Sequence, residues 1–184
     1  MHLENIQNLI GRRYADAHGA APAIDYPHYC VIAAGRDEAP SAVLGFRSAS
    51  QGRLFLEDYL DEPIETAVSR AFSRPIERSR IVEIGAHASE RNRATVALWA
   101  RAARHLDEIA DVAAAVLTAP LRAMFDRLGI PIVEICDADP ARLTDTRSTW
   151  GRYYDLEPKV CAGLIAPAKP KLVQFDDGLP GHCA

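Results

Sequence analysis

Apolar residues recur along this chain with two periods, which together predict four helices and six strands. A period near 3.6 residues indicates an amphipathic helix, whereas alternation with a period of two indicates a half-buried strand. Helical periods fall at residues 3–18, 61–72, 95–106 and 121–128. Strand patterns fall at residues 28–34, 41–46, 80–89, 112–117, 132–136 and 159–165. Early hairpins followed by βαβ units predict an α/β (mixed α+β) fold, in which one mixed sheet carries helices on both faces.

Proline and glycine positions suggest where the elements and the domain end. Pro63 suits the first turn of the second helix, and Asp61 is placed to cap that helix. Beyond Pro167 the chain is rich in proline and glycine, which predicts irregular structure. The sequence therefore predicts one domain over residues 1–166 and an irregular C-terminal tail over residues 167–184.

The composition of the chain argues against several functional classes of protein. The chain has 184 residues, a hydrophobic content of 48% and a charged content of 25%, which are typical of one globular domain. A net charge of -4 argues against a general nucleic-acid binder. There is no apolar run of about 18 residues and no basic leader before an apolar stretch. The prediction is a cytoplasmic protein without a membrane span, and the oligomeric state is left open.

The cysteines carry no recognisable spacing signal. They are far apart and form no C-x-x-C pair, so they indicate neither a zinc site nor a disulfide framework. Cys30, Cys136 and Cys161 lie in apolar strand-like runs, which favours small buried side chains over catalysis. No metal site is predicted.

The most informative stretch is a strand that runs through a charged turn into a helix, over residues 80–106. Period-two alternation places the polar residues of the strand on one face, with Glu83, Gly85, His87 and Ser89 sharing a parity. The turn brings two guanidinium groups to the first free amides of a helix, an arrangement that suits a pyrophosphate. The predicted phosphate-binding residues are Ser89, Arg91, Asn92, Arg93, Ala94 and Thr95. The alternative is a half-exposed strand with a solvated charged turn.

Five segments carry a resemblance to a known family, in the same order along the chain. They are Tyr14 to Gly19-Ala20, LFLEDYLDEPIE from Leu54, IVEIG from Ile81, LTAPLRAMFDRLGIPIV from Leu117 and WGRYYDLEPKVCAG from Trp150. These segments resemble the thermostable hemolysin family, and the order of elements is similar to the GNAT-type acyltransferase fold. The resemblance covers most of residues 10–165. It implies a distant likeness to autoinducer synthases, which acylate an amine from an acyl thioester.

The resemblance implies an acyl thioester of coenzyme A or of an acyl-carrier protein as donor, and a small-molecule amine as acceptor. The chain differs from the family after the glutamate strand, where Gly85-Ala86-His87-Ala88 replaces Gly-Asn-Leu-Ala. It also lacks the glycines that the acyltransferase signature has in the pyrophosphate turn. A carrier protein is acidic, and the arginines near the central strand offer it a docking surface.

Aminolysis of a thioester needs a base for the amine and a polariser for the carbonyl oxygen. Glu83 is the first candidate base, because burial in a strand raises the pKa of a carboxyl group. His87 is the second, because its ordinary pKa is near 6.5. Thr118 places a hydroxyl at the carboxyl end of a strand, where α/β sites form. The alternatives are a salt bridge from Glu83 to Arg78 or Arg80, a His87 that is hydrogen-bonded or exposed without a catalytic role, and helix capping by Thr118.

Substrate-binding candidates follow from position. An amine pocket is predicted to be lined by Tyr59, Asp61 and Glu65, together with Gly85. Trp150, Tyr153 and Tyr154 are predicted to cover an acyl chain, although core packing explains these aromatic residues equally well. Three functions remain open: an N-acyltransferase, a catalytically silent acyl-binding module, and a membrane-lytic protein.

Overall fold

The computed structural model describes residues 3–23, 25–33, 39–90, 92–144, 149–176 and 178–184. Its helices are α1 (Leu3–His18), α2 (Ile64–Ala71), α3 (Asn92–Leu106), α4 (Ala119–Arg127) and α5 (Ile165–Val173). Its strands are β1 (His28–Ala33), β2 (Pro40–Ser48), β3 (Ile81–Ser89), β4 (Val112–Leu117), β5 (Val133–Asp137), β6 (Lys159–Leu164) and β7 (Gly181–Cys183). The ten predicted elements occur in the predicted order.

The strands form one mixed sheet in the order β5-β6-β4-β3-β2-β1-β7. Strands β3 and β4 run parallel, and the other neighbouring pairs are antiparallel. The two strands are parallel because α3 returns the chain from the end of β3 to the start of β4, and the pair lies near the centre of the sheet. The predicted mixed α/β sheet is confirmed.

Helices cover both faces of the sheet. On the first, here called the α3 face, the buried stripe of Leu98, Ala102 and Leu106 packs on Val82 and Ile84 of β3. Each fully buried leucine side chain stabilises the fold by about 1.5–3 kcal/mol. Helices α4 and α5 contribute to the same cluster. On the second, the α1 face, buried residues of α1, α2 and a 3-10 helix at Phe55–Tyr59 form two further clusters.

A β-bulge in β3 changes which side chains share a face. Ala86 has a positive φ of 48°, and the β2–β3 register shifts opposite it. An extra residue in one strand reverses the alternation beyond it. Ala86 and Ala88 accordingly join the α1-face cluster, while the ring of His87 lies 5.6 Å from that of Trp99 in α3. The prediction that Glu83 and His87 share a face is therefore wrong.

The C-terminal segment is regular, and the prediction of irregular structure after Pro167 is wrong. Pro167 lies in the first turn of α5, where its missing N–H is not needed. Strand β7 then pairs with β1 and places Cys183 opposite Cys30, to which it is joined by a disulfide. Sequence spacing gave no sign of this bond, because the two cysteines are 153 residues apart and only the pairing of β1 with β7 brings them together.

The start of α2 also differs from prediction. The helix begins at Ile64 with Pro63 at the N-cap, so Asp61 does not cap it. The side chain of Glu57 instead accepts the backbone N–H of Ile64 at 3.0 Å. Glu57 also binds Arg78 and the backbone N–H of Leu54, and these contacts outweigh the effect of burial and lower its pKa to about 2.

Candidate active site

A cleft of about 410 Å³ opens where the two central strands separate. Residues Ile81–Ile84 of β3 pair with Val112–Ala115 of β4, but both described strands continue beyond this pairing. The cleft is lined on one side of this gap by Gly85 and His87 of β3, and on the other by Leu117 of β4 and by Thr118, which follows that strand. It therefore passes between the α1 face and the α3 face of the sheet.

Glu83 is the buried carboxylate of the cleft, with only 1% of its surface exposed. Its Oε1 accepts the backbone N–H of Leu56 at 2.7 Å, and its Oε2 accepts that of Phe55 at 3.2 Å. The Nε of Arg47 lies 3.6 Å from Oε2. Burial raises the pKa of Glu83 and outweighs the two amides and Arg47, which lower it.

The alternative predicted partners of Glu83 are engaged elsewhere. Arg78 forms ion pairs with Glu57 and Glu65, both at 2.7 Å, and Arg80 pairs with Asp111. Glu65 lies in the first turn of α2, outside the lining of the cleft. Asp61, likewise predicted to line an amine pocket, pairs with Arg142 at 2.6 Å and is also outside the cleft.

Tyr26 lies over two glycines of adjacent strands and was missed by the sequence analysis. A Cβ on Gly85 would come within 2.1 Å of the Tyr26 hydroxyl, and one on Gly45 would come within 2.6 Å of its ring. Burial and the neighbouring Glu83 raise the pKa of Tyr26 well above its usual value. Glycines inside two predicted strands were the available signal, since a strand glycine often marks close approach of another group.

His87 lies on the opposite side of the sheet from Glu83. Its Nε2 is buried and has no hydrogen-bond partner among the described residues. Burial lowers the pKa of His87 to about 4, so the ring is neutral at pH 7. The two predicted bases therefore line one cleft from opposite faces, and they do not contact each other.

Thr118 follows β4 at the N-cap position of α4, and only 6% of its surface is exposed. Within the part of the chain that the structure describes, its side chain makes no capping hydrogen bond. Thr118 lines the cleft near Pro120. Its hydroxyl therefore does not cap α4, which was the alternative considered from the sequence.

Aromatic side chains form the α1-face wall of the cleft. The rings of Tyr14 and Trp150 lie 6.3 Å and 5.3 Å from that of Tyr153. The hydroxyl groups of Tyr59 and Tyr154 are joined by a hydrogen bond of 2.6 Å. Tyr59, Trp150 and Tyr153 line the cleft, whereas Tyr154 packs behind Trp150 and Tyr153.

The predicted phosphate-binding turn lies beyond the end of β3. Ser89 ends that strand, Asn92 begins α3, and Arg93 and Thr95 lie in the first turn of the helix. Ala94 is buried in the α3-face core. Arg91 lies outside the described residues. The described turn residues do not line the cleft, although the strand that leads to them does.

A second, apolar cavity adjoins the cleft on the α3 face. Its volume is about 70 Å³, and nearly all of its lining atoms are apolar. It shares four wall residues with the cleft, namely Ile84, Trp99, Ala115 and Leu117. Ala168 of α5 lies on the wall that belongs to the cavity alone. The cleft thus has an apolar extension beneath α3 and α5.

Buried side-chain nitrogens without a hydrogen-bond partner are concentrated at the cleft. Of the described residues, six have a buried side-chain polar atom without a partner. Four of these line the cleft, namely Arg13, His87, Trp99 and Trp150. A buried polar group without a partner costs about 1–3 kcal/mol. This concentration is typical of a site shaped for a polar ligand.

The described residues contain no cluster of three or more side chains suited to hold a metal ion. Nor does any helix among them combine the length and the hydrophobicity that crossing a membrane requires.

Comparison with known proteins links the chain to one family and one fold. The family model described as thermostable hemolysin matches residues 1–169. No curated protein sequence matches the chain significantly.

Solved structures are similar over almost the whole chain. FeeM, an N-acyl amino acid synthase from uncultured soil microbes, is 13% identical with a TM-score of 0.56, over 91% of this chain and 93% of its own. The CoA-dependent acyl-homoserine lactone synthase BjaI, with SAM and isopentyl-CoA, is 12% identical with a TM-score of 0.57. The match covers 97% of this chain and 84% of BjaI. TofI, in a ternary complex with an inhibitor and MTA, is 13% identical with a TM-score of 0.56. The match covers 96% of this chain and 91% of TofI. The predicted acyltransferase-type fold is confirmed.

Proposed function

The chain belongs to the thermostable hemolysin family and has the fold of acyl-homoserine lactone and N-acyl amino acid synthases, and on this basis we propose that it is an N-acyltransferase. The donor is an acyl thioester of coenzyme A or of an acyl-carrier protein, and the acceptor is the amine of a small molecule. The observation that carries the proposal is Glu83, a buried carboxylate with a raised pKa that lines the cleft next to the point where β3 and β4 separate.

Glu83 acts as the general base. The amine nitrogen attacks the thioester carbonyl carbon, and the carboxylate takes the proton that this nitrogen loses. Collapse of the tetrahedral intermediate forms the amide bond and breaks the carbon–sulfur bond, and the thiolate leaves with the bonding electrons. The raised pKa favours this role, because a base near the working pH transfers protons most effectively.

The gap between the strands holds the reacting carbonyl. Donors preorganised around a developing oxyanion contribute strongly to acyl transfer. The unpaired strand edges beyond Ile84 and Ala115 supply backbone N–H groups, and Thr118 supplies a hydroxyl that no cap engages. Neutral His87 on the α3 face is a second polar group near the leaving thiolate.

The donor occupies the α3 face. Its acyl chain enters the apolar cavity that shares Trp99 and Leu117 with the cleft. Its phosphates bind at the start of α3, where Arg93 adds positive charge. The acceptor then approaches Glu83 from the α1 face, beside Tyr26, Tyr59 and the aromatic wall.

Acylation by the purified protein is tested with a panel of saturated acyl-CoA and acyl-carrier-protein thioesters and a panel of primary amines. Mass spectrometry should detect an N-acyl product, and free thiol should appear in equal amount. Thioester binding without an N-acyl product from any amine would contradict the proposed acyltransferase activity and would indicate a catalytically silent acyl-binding module. Dye release from anionic vesicles at micromolar protein, without acylation, would support a lytic protein instead.

A further inference from the structure

Arg47 of β2 lies directly opposite Glu83 of β3. The two residues are partners in the antiparallel register of these strands, in the stretch that precedes the bulge at Ala86. Side chains that face each other in such a pair project from the same face of the sheet, with Cβ atoms about 4.5–5.5 Å apart. The Nε of Arg47 is buried and lies 3.6 Å from Oε2 of Glu83. Within the described structure, no other cationic side chain comes within 4 Å of this carboxylate.

Two further contacts fix the guanidinium group of Arg47. Its Nη2 donates to the backbone carbonyl of Asp25 at 2.6 Å, and its Cζ lies 4.9 Å from the centre of the Tyr26 ring. A planar guanidinium can contact a carbonyl oxygen, an aromatic face and a carboxylate at the same time, which the compact ammonium of lysine cannot do. These contacts hold the positive charge beside Glu83.

Arg47 does not line the cleft. Its side chain is 27% exposed and lines a shallow pocket on the outer surface, together with Asp25, Gly52 and Arg53. Glu83 and Tyr26, which it contacts, do line the cleft. Arg47 can therefore influence chemistry in the cleft only through these two neighbours.

The other groups that face Glu83 come from several elements. The 3-10 helix at Phe55–Tyr59 brings Glu57, whose charge raises the pKa of Glu83, and two backbone N–H groups that lower it. Glu57 is itself paired with Arg78. The remaining titratable groups on this side of the cleft are Arg13, Tyr14 and His18 of α1, and Tyr26, Tyr59 and Tyr153. Arg47 is the positive charge nearest to the carboxylate in the described residues.

Resting on the acyl transfer proposed above, we infer that Arg47 is a positioning residue, which keeps the Glu83 carboxylate ionised and oriented without touching a reactant. A carboxyl group acts as a base only when it is unprotonated, and burial favours the protonated form. An opposite charge within about 4–6 Å favours the ionised form instead. Arg47 thereby sets the lowest pH at which Glu83 can accept the proton of the amine.

The pH dependence of kcat/KM tests this role. Arg47→Gln should move the acidic limb of the profile to higher pH by about one pH unit. Arg47→Lys keeps the charge and should leave the limb close to that of the wild-type protein. Arg53→Gln is the matched control, because Arg53 lines the same outer pocket but pairs with Asp58 at 2.9 Å. Protonation of the amine is the same for every variant and cancels in the comparison.

Three kinetic outcomes would overturn the inference. They are an unmoved limb in Arg47→Gln, an equal movement in Arg53→Gln, and a limb in Arg47→Lys that moves as far as in Arg47→Gln. A residue that only supports the fold would lower the rate at every pH and leave the limb in place.

Urea denaturation provides a test that needs no turnover. At pH 8 the carboxylate is ionised and Arg47→Gln leaves it buried without its cation, whereas at pH 5 protonation relieves this cost. The stability lost in Arg47→Gln should therefore be larger at pH 8 than at pH 5. In a Glu83→Gln background the loss should be the same at both values. Equal losses in the wild-type background would overturn the inference, and so would failure of both Arg47 variants to fold at either pH.

The two tests separate this inference from the proposed function. If the stability loss depends on pH through Glu83 but no amine is acylated, the transferase fails and the control of Glu83 by Arg47 stands. If amines are acylated and the acidic limb is unmoved in Arg47→Gln, the inference fails and the transferase stands.

Discussion

The carboxylate of Glu83 accepts the backbone N–H of Leu56 at 2.7 Å, 27 residues earlier in the chain. Together with the hydrogen bond from the Phe55 N–H, this bond holds the 3-10 helix at Phe55–Tyr59 against β3 on the α1 face. A carboxylate held at both oxygens cannot rotate freely, so it meets an incoming amine in one orientation. The same contacts oppose its protonation, and the raised pKa shows that burial is the larger effect.

The close approach of Tyr26 to Gly85 predicts a steric test of the cleft. Gly85→Ala places a Cβ 2.1 Å from the Tyr26 hydroxyl, and overpacking of this kind costs about 1–3 kcal/mol of unfolding free energy. Urea denaturation should show this loss, and Tyr26→Phe should relieve part of it in the double variant. Gly11→Ala is the control, because nothing lies within 4 Å of its Cβ. Equal effects at both glycines would contradict the packing.

Filling the apolar cavity should change the length of acyl chain that the protein accepts. Ala168→Leu adds three carbons to the cavity wall, so turnover with long-chain thioesters should fall at least tenfold relative to short-chain ones. Ala166→Leu, two residues away on the exposed side of α5, should leave the preference unchanged. The measurement is the ratio of kcat/KM for decanoyl-CoA and butanoyl-CoA. An unaltered ratio in Ala168→Leu would place the acyl chain elsewhere.

His87 predicts a specific dependence of stability on pH. Its pKa is about 4 in the folded protein and near 6.5 in the unfolded chain, so between these values the unfolded chain binds the extra proton. The free energy of unfolding contributed by this ring therefore falls as the pH drops, by roughly 2 kcal/mol between pH 7 and pH 5.

His87→Gln removes that contribution. Urea denaturation at both pH values should show a smaller loss for the variant than for the wild-type protein. The raised pKa of Glu83 affects both proteins alike and cancels in the comparison. Identical losses would mean that the ring is solvated and not buried.

The order and type of the main elements could be predicted because each carries its own pattern. Val112–Leu117 is apolar at both parities, and the observed strand has the predicted limits. The predicted stripe of Leu98, Ala102 and Leu106 is buried. Local sequence patterns did not predict features that depend on contacts distant in the sequence. The start of α2 depends on the hydrogen bond from the Ile64 N–H to Glu57, and the C-terminal strand depends on pairing with β1.

The candidate site was only partly visible in the sequence. Glu83 could be singled out as a carboxylate among apolar strand residues, and Tyr59 and Trp150 line the same cleft. The bulge at Ala86 could not be foreseen, because its strand alternates as a straight strand does, and it moves His87 to the other face.

The account depends most on Glu83 as the base, and its isosteric variant tests this directly. Glu83→Gln has one acceptor oxygen for the two amides of Phe55 and Leu56, so about 1–3 kcal/mol of stability should be lost. The matched control is Glu57→Gln. It alters a buried carboxylate that also binds backbone amides but does not line the cleft.

The decisive measurement is the pH dependence of the acylation rate in the wild-type protein and these two variants. The carboxylate must be unprotonated to act, so the wild-type rate should fall as the pH drops through the raised pKa of Glu83. Glu83→Gln should lower the rate by about 10² to 10⁴ and abolish this acidic limb. Glu57→Gln should lose stability and keep the limb. Wild-type turnover with an unchanged acidic limb in Glu83→Gln would contradict the account.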